Sequence, residues 1–370
     1  MKIGIVTQYY KSENYGGNLQ AYALCEFLNA HGYHAEQVSV DRRFESPLHM
    51  AKQILFGVKQ IKTISILSGL RARSKAIGDF NQNAIPHSMA YTNRNIAECV
   101  DGYDALITGS DQVWHPFAIC NAYLLDFVPS SKMKLSYAAS MSVNDLTSEQ
   151  RERYRKSLRD YTAISVREEQ AVKLLQPLTD KEIECTIDPT MLLSKEDWDR
   201  VCTERRIHEK YIFCYFLGDN SGHRRVVEEY AKQRGLTIVT LPHLLGKFRE
   251  CDKTFGDYKL YDISPSDFIS LIKFAEIVFT DSFHASVFSI LYEKEFYVFE
   301  RGYQKSMGSR LYTLTSLFDI TEHFCDSEDK ISMEYICNTQ PICYDKEFSK
   351  FIKLKEKSKN FLVRNLSESR

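Results

Sequence analysis

The sequence predicts an α/β protein of two units, each built on a parallel β-sheet with helices on its faces. Short apolar runs ending in polar or small residues alternate with stretches of helical period along most of the chain. At 370 residues the chain also exceeds the roughly 250–300 at which a single core stops growing. Two such units, facing one another across a cleft, are the expected arrangement, and clefts of this kind are favoured ligand sites.

The first forty residues read β-α-β. Lys2-Ile3-Gly4-Ile5-Val6-Thr7 is a short strand, and a loop from Gln8 to Asn18 holds the Gly16-Gly17 pair. Leu19, Ala23, Leu24, Phe27 and Leu28 then share one helical face, which His31-Gly32 closes. Ala35 to Val40 is the second strand, and so short a crossover predicts a right-handed connection and a parallel pair. Residues at about 46–83 look helical and basic (Lys52, Lys59, Lys62, Arg71, Arg73, Lys75) and read as an insertion over the sheet. Strands return at Ala105-Leu106-Ile107-Thr108, at Leu135 to Ser140 and at Thr162 to Val166, and a helix over 168–176 stops at Pro177.

The second unit begins near residue 208. Tyr211 to Leu217 is a fully apolar strand, Arg225 to Gln233 a helix closed by Gly235, and Leu236 to Leu241 the next strand. Pro265 opens a helix reaching Ala275. The strand Glu276-Ile277-Val278-Phe279 leads through Thr280-Asp281-Ser282-Phe283-His284-Ala285-Ser286 into an apolar helix, and Glu295 to Phe299 is a further strand. The tail from 346 to 366 is amphipathic, with Phe348, Ile352, Phe361, Leu362 and Leu366. The expected domains are 1–205, 206–345 and a terminal helix over 346–370 that packs back on the first unit.

Composition narrows the class. Forty-eight basic against 49 acidic residues give a net charge of −1, which speaks for no nucleic-acid partner overall. The N-terminus does not read as a signal peptide, and no apolar run approaches the roughly 20 residues of a membrane span. The ten cysteines include no Cys-x-x-Cys pair, so reduced thiols in a cytoplasmic protein are expected, with no metal site.

Several loops lie just after predicted strands, on the edge where open α/β sheets bind ligands. In Thr280–Ser286, His284 could move protons at the start of a helix whose free N–H groups suit an anion; Asp281 or Ser282 acting only as a helix cap fits equally. Asn14-Tyr15-Gly16-Gly17-Asn18 allows close backbone approach to a ligand, yet is neither a dinucleotide fingerprint nor a P-loop. Ser110, Asp111, Gln112 and Trp114 combine polar groups with an aromatic face, as a sugar site does; an Asx turn beside a core tryptophan is the alternative. Arg167 leaves a buried strand and suits a phosphate or carboxylate, or a pairing with Glu168 or Asp188. Ser309 and Arg310, after Gly302 to Gly308, offer a further anion contact or an ion pair. Asp188-Pro189-Thr190 reads as a structural turn.

Taken in order, these blocks resemble the polysaccharide pyruvyl transferase family. The resemblance runs from Lys2 to about Leu317 and rests on Asn14-Tyr15-Gly16-Gly17-Asn18-Leu19-Gln20, Gly109-Ser110-Asp111-Gln112-Val113-Trp114, Ser136-Tyr137-Ala138-Ala139-Ser140, Ser165-Val166-Arg167-Glu168, Asp188-Pro189-Thr190, Thr280-Asp281-Ser282-Phe283-His284 and Ser306-Met307-Gly308-Ser309-Arg310. It implies a glycosyltransferase-B-like architecture of two Rossmann-like domains. It also implies transfer of the pyruvyl unit of phosphoenolpyruvate, a donor substrate rather than a cofactor, onto a sugar as a cyclic ketal. His284 matches the family's proposed catalytic histidine and Arg167 an arginine that holds the donor. By the same resemblance Asp281, Ser282, Phe283, Ser309 and Arg310 fall at the donor, and Asn14 to Asn18, Ser110, Asp111, Gln112 and Trp114 at the acceptor or cleft wall. Some characterised members carry arginine two residues before the histidine; here Ser282 stands there, and Arg310 or Lys305 is the candidate replacement. The implied acceptor is a glycan or lipid-linked oligosaccharide, met at the inner face of the membrane through a peripheral contact. A nucleotide-sugar glycosyltransferase and a non-catalytic glycan-binding relative fit the same architecture. Oligomeric state is not legible.

Overall fold

The computed structural model describes residues 1–41, 64–117, 120–243, 249–301 and 305–367. The chain forms two compact units: the first holds the described residues of 1–41, 78–193 and 352–367, the second those of 64–77 and 194–351.

Unit 1 is a seven-stranded sheet in the order β3-β2-β1-β4-β5-β6-β7. Its strands are β1 (Lys2–Val6), β2 (His34–Val40), β3 (His87–Tyr91), β4 (Ala105–Thr108), β5 (Met133–Ala139), β6 (Ala163–Val166) and β7 (Ile183–Cys185). Every neighbouring pair is parallel, as the short β-α-β crossover predicts. A parallel sheet is covered on both faces, so β4 and β6 are buried at every residue, and β1 at all but Lys2. The chain moves outward through β2 and β3, then returns to place β4 beside β1, with Ile3 opposite Ala105 and Val6 opposite Thr108. This reversal is a topological switch point, where the loops diverge and leave a crevice at the carboxyl ends of the strands.

Unit 2 repeats the plan with six strands in the order β10-β9-β8-β11-β12-β13. They are β8 (Tyr211–Tyr215), β9 (Thr237–Thr240), β10 (Tyr258–Lys259), β11 (Ile277–Thr280), β12 (Glu295–Phe299) and β13 (Phe324–Cys325), again all parallel. Its switch point lies between β8 and β11, with Ile277 opposite Ile212 and Thr280 opposite Tyr215.

Three findings refine the expected organisation. The units part at Leu193/Ser194 rather than 205/206. Ser194 closes a capping box on helix Lys195–Asp199, and that helix seats Trp198 edge-on against Phe288 at 4.9 Å, inside the second core. The expected insertion is described only from Ile64, as helix Ile64–Ala84, whose residues up to 77 belong to unit 2; residues 46–63, with Lys52, Lys59 and Lys62, lie outside the described residues. The terminal helix, Ser349–Ser367, buries Phe361, Leu362 and Leu366 on unit 1 over the residues from 352 on. There Ser358 Oγ accepts from the Ile187 N–H at 3.0 Å. Among the described residues no helix is long and apolar enough to cross a membrane.

The core of unit 2 holds a titratable histidine. His223, on helix Ser221–Arg234, stacks on Phe299 with ring centroids 4.6 Å apart, and neither ring nitrogen has a hydrogen-bond partner among the described residues. Burial pushes its pKa down to about 4, aided by the Arg224 charge and opposed by Asp281. Unfolded histidine titrates near 6.5, so between about 6.5 and 4 the unfolded chain binds the extra proton and stability falls as the pH drops. His223→Phe is expected to remove an acid destabilisation on the order of 3 kcal/mol across that window. Urea melts of both proteins at pH 7 and pH 4 check this: an unchanged pH dependence would contradict a neutral, buried imidazole.

Candidate functional site

The switch point of unit 1 gathers several of the loops singled out in the sequence. Thr7, just past β1, donates from Oγ1 to the Ser110 carbonyl at 2.7 Å, and Gln20 Nε2 donates to Thr7 Oγ1 and the Gly17 carbonyl. Asn14 begins helix Tyr15–Ala30 and donates from Nδ2 to Asp111 Oδ2 at 3.3 Å. Gly17 is there because nothing larger fits: a Cβ would lie 2.9 Å from the Gln8 carbonyl oxygen and 3.4 Å from Asp111 Oδ2. Asp111 itself takes φ 70°, the left-handed region that costs a non-glycine residue about 1 kcal/mol or more. Asn14, Gly17, Ser110 and Asp111 thus form one cluster. Tyr15, Gly16 and Asn18 are buried beneath it, and Asn18 is taken up internally: Nδ2 donates to the Ser12 and Asn14 carbonyls while Oδ1 accepts from Asn81.

Arg167 lies in the same strand-end layer, buried among carboxylates. Its Nη1 donates to Asp188 Oδ2 at 2.7 Å, with Glu168 Oε1 at 3.5 Å and Asp111 Oδ1 at 4.0 Å. Burial alone would lower the arginine pKa, but Asp188, Glu168 and Asp111 outweigh it and the net shift is upward. The acids are braced in turn. Asp188 also accepts from Ser110 and from Thr190 N–H and Oγ1; Glu168 accepts from Ser140 Oγ and the Met141 N–H. The geometry shows the ion pair with Asp188 weighed above, and Glu168 and Asp111 complete the acidic surroundings of Arg167.

Trp114 is likewise a core residue. It is fully buried, meets Tyr161 edge-on at 5.8 Å and donates its indole N–H to the Tyr123 carbonyl at 2.9 Å, so it offers no face to a sugar. Gln112 is half-buried and donates to Ser142 Oγ. The exposed aromatic of this loop is Phe117, 82 % accessible, beside the His115 ring at 5.8 Å.

In unit 2, Asp281 ties the switch point together. Its Oδ1 and Oδ2 accept from the Leu217 and Gly218 N–H groups at 2.7 and 2.6 Å, so the carboxylate bridges the ends of β8 and β11. Gly218 permits this approach, since a Cβ there would stand 2.8 Å from Asp281 Oδ2. Buried Arg224, held by Asp252, braces the same loop by donating to the Gly218 and Asn220 carbonyls. Asp281 is therefore an organiser of the turn.

Ser282 caps helix Phe283–Leu291, its Oγ accepting from the Ala285 N–H at 3.5 Å, and its own N–H donates to Thr280 Oγ1. Phe283 and His284 occupy the first turn with rings at right angles, and His284 is 6 % exposed. Arg310, on helix Lys305–Leu317, places its guanidinium 6.0 Å over the Phe283 ring, with Ser309 beside it in sequence. Asp281, Ser282, Phe283, His284 and Arg310 are thus brought to one neighbourhood. Gly302 to Gln304 lie outside the described residues, as does the Lys305 side chain. Sequence reasoning missed Gly218 and Arg301. Arg301 follows β12 by two residues and donates from Nε and Nη2 to the Asp281 carbonyl at 3.1 and 2.8 Å.

Replacing Arg167 by the similarly sized Met would strand three buried carboxylates. A loss of about 3–5 kcal/mol in unfolding free energy is expected from urea melts at neutral pH. A stable Arg167→Met protein with weakened donor binding would instead give Arg167 the donor-anion role.

The model of the polysaccharide pyruvyl transferase family matches residues 14–303, and the chain belongs to that family. No curated protein matches the chain in sequence. Among solved structures it resembles the UDP-N-acetylglucosamine 2-epimerase from Rickettsia bellii (TM-score 0.56, 9 % identity, 99 % of this chain and 96 % of that one). It also resembles the UDP-GlcNAc 2-epimerase from Methanocaldococcus jannaschii (TM-score 0.54, 13 % identity, 100 % of both chains). A third is the UDP-GlcNAc 2-epimerase from Neisseria meningitidis bound to UDP-GlcNAc (TM-score 0.50, 13 % identity, 100 % of both chains). At such identities the likeness shows the fold, a glycosyltransferase-B-like pair of parallel-sheet units; the family makes the protein a transferase acting in polysaccharide pyruvylation.

Proposed function

We propose that this family member transfers the pyruvyl group of phosphoenolpyruvate to a sugar of a polysaccharide or its lipid-linked repeat, closing it as a cyclic ketal across two hydroxyls. His284 carries the reading: an imidazole in the first turn of helix Phe283–Leu291, at the switch point of unit 2. The positive end of that helix suits a small polyanion.

The chemistry asks for little more than positioning and proton movement. An acceptor hydroxyl oxygen bonds to C2 of phosphoenolpyruvate while C3 takes a proton and becomes a methyl group. The C2–O bond to phosphate then breaks, with the electron pair leaving on phosphate. A second hydroxyl captures the oxocarbenium carbon and loses its proton. Two hydroxyl protons are released and one is taken up at C3, so one departs with phosphate or solvent. An imidazole that accepts a hydroxyl proton and returns one at C3 serves both ends of this exchange.

Unit 1 supports the acceptor side. At its switch point half-buried Asn14 offers an amide of the kind that bonds sugar hydroxyls, and Phe117 exposes a ring on which a sugar face can stack. A lipid-linked acceptor would bring the protein to the inner face of the membrane, on the cytoplasmic side where phosphoenolpyruvate is available.

Phosphate release from phosphoenolpyruvate that depends on a sugar diol is the test. His284→Ala is expected to lower kcat by about 100-fold or more with an unchanged thermal melt. Full activity in that variant would remove His284 from the chemistry, and turnover of a nucleotide sugar in place of phosphoenolpyruvate would make the protein a glycosyltransferase.

A further inference from the structure

We propose that Arg301 holds the phosphoryl group of the donor at the N-terminus of helix Phe283–Leu291. This rests on the functional reading above and supplies the cation that Ser282 cannot.

A guanidinium has five N–H donors in a fixed fork. In Arg301 the Nε–H and one Nη2–H go to the Asp281 carbonyl, at 3.1 and 2.8 Å. No described residue accepts from Nη1, and the side chain is 17 % exposed with no nitrogen both buried and unpartnered, so Nη1 reaches solvent. The Asp281 carboxylate lies 3.3 Å from Nε, but both its oxygens already accept the Leu217 and Gly218 N–H groups. It thus orients the arginine without occupying the outer edge of the fork.

The stem is fixed as well. A Cβ at Gly218 would stand 3.5 Å from Arg301 Cγ, ordinary van der Waals contact, so the side chain runs along the bare glycine backbone. The carbonyl that anchors the guanidinium belongs to the residue immediately before the Ser282 cap. A rigidly held arginine therefore sits at the helix turn that carries His284, where the helix dipole adds to its charge. The outer edge of a guanidinium matches two phosphoryl oxygens, an arrangement an ammonium cannot reproduce. Arg310 is less suited: it is 8 % exposed, and its guanidinium lies over the Phe283 ring.

Phosphoenolpyruvate, inorganic phosphate and a nucleoside diphosphate all present this group, so calorimetric titration of the full-length protein with each, using UDP as the last, separates the sources. For whichever probe the wild-type protein binds most tightly, R301Q is expected to weaken Kd at least about tenfold. R301K should recover part of that loss. H284A should bind within about threefold of wild type while losing turnover. A preference for UDP, with R301Q still impaired, keeps Arg301 and ends the pyruvyl-transfer reading. Equal affinity of R301Q and wild type, or no binding of any probe by wild type, overturns the proposal. Should R301Q melt as an unfolded protein, R301K decides, because lysine cannot hold the Asp281 carbonyl and a phosphoryl group together. At least about threefold weakening is then expected, and unchanged affinity overturns the assignment.

Discussion

The Asp281 carboxylate, accepting two backbone N–H groups from the end of β8, is the contact on which the second unit's site depends. At a switch point the strands' loops part company, and their polar backbone groups need partners if the crevice is to stay open. Asp281 supplies acceptors for Leu217 and Gly218, and its carbonyl anchors Arg301. The turn that follows is then set, so Ser282 can cap its helix and His284 can occupy the first turn. The first unit solves the same problem in parallel: Asp111, just past β4, meets Asn14 from the β1 side, and a glycine, Gly17, lies against its carboxylate as Gly218 does against that of Asp281.

The two strand-end clusters pair their charges differently. In unit 1, Arg167 is surrounded by Asp188, Glu168 and Asp111, which Ser110, Ser140 and Thr190 brace. In unit 2, Arg224 pairs with Asp252 and Arg301 with Asp281, while Glu300 lies against Gly308 on the helix that carries Arg310. Such pairing is expected in a poorly solvated layer, where one unmatched charge outweighs several neutral hydrogen bonds.

Much of the architecture was legible because parallel sheets leave a plain trace. Strands covered on both faces read as unbroken apolar runs, as Tyr211–Tyr215 and Ile277–Thr280 do. The strands that escaped notice had no such trace. His87–Tyr91 is an edge strand with mixed residues, and Tyr258–Lys259 and Phe324–Cys325 are two residues each. The candidate loops were found by position alone, since each follows a strand. Position did not tell which of their side chains turn inward: Trp114 and Asn18 went to the core, while Phe117 stayed in solvent.

By itself the sequence determined the class of fold and the family, because periodicity and local motifs survive without knowledge of neighbours. Only the tertiary structure decided the partners of each charge. Arg167 lies 21 residues from Asp188, and Arg301 lies 20 from Asp281, so sheet order, not local sequence, brings each guanidinium to its carboxylate or carbonyl. Whether an arginine is enclosed by buried acids, as Arg167 is, or held by a carbonyl while part of it reaches solvent, as in Arg301, depends on that packing.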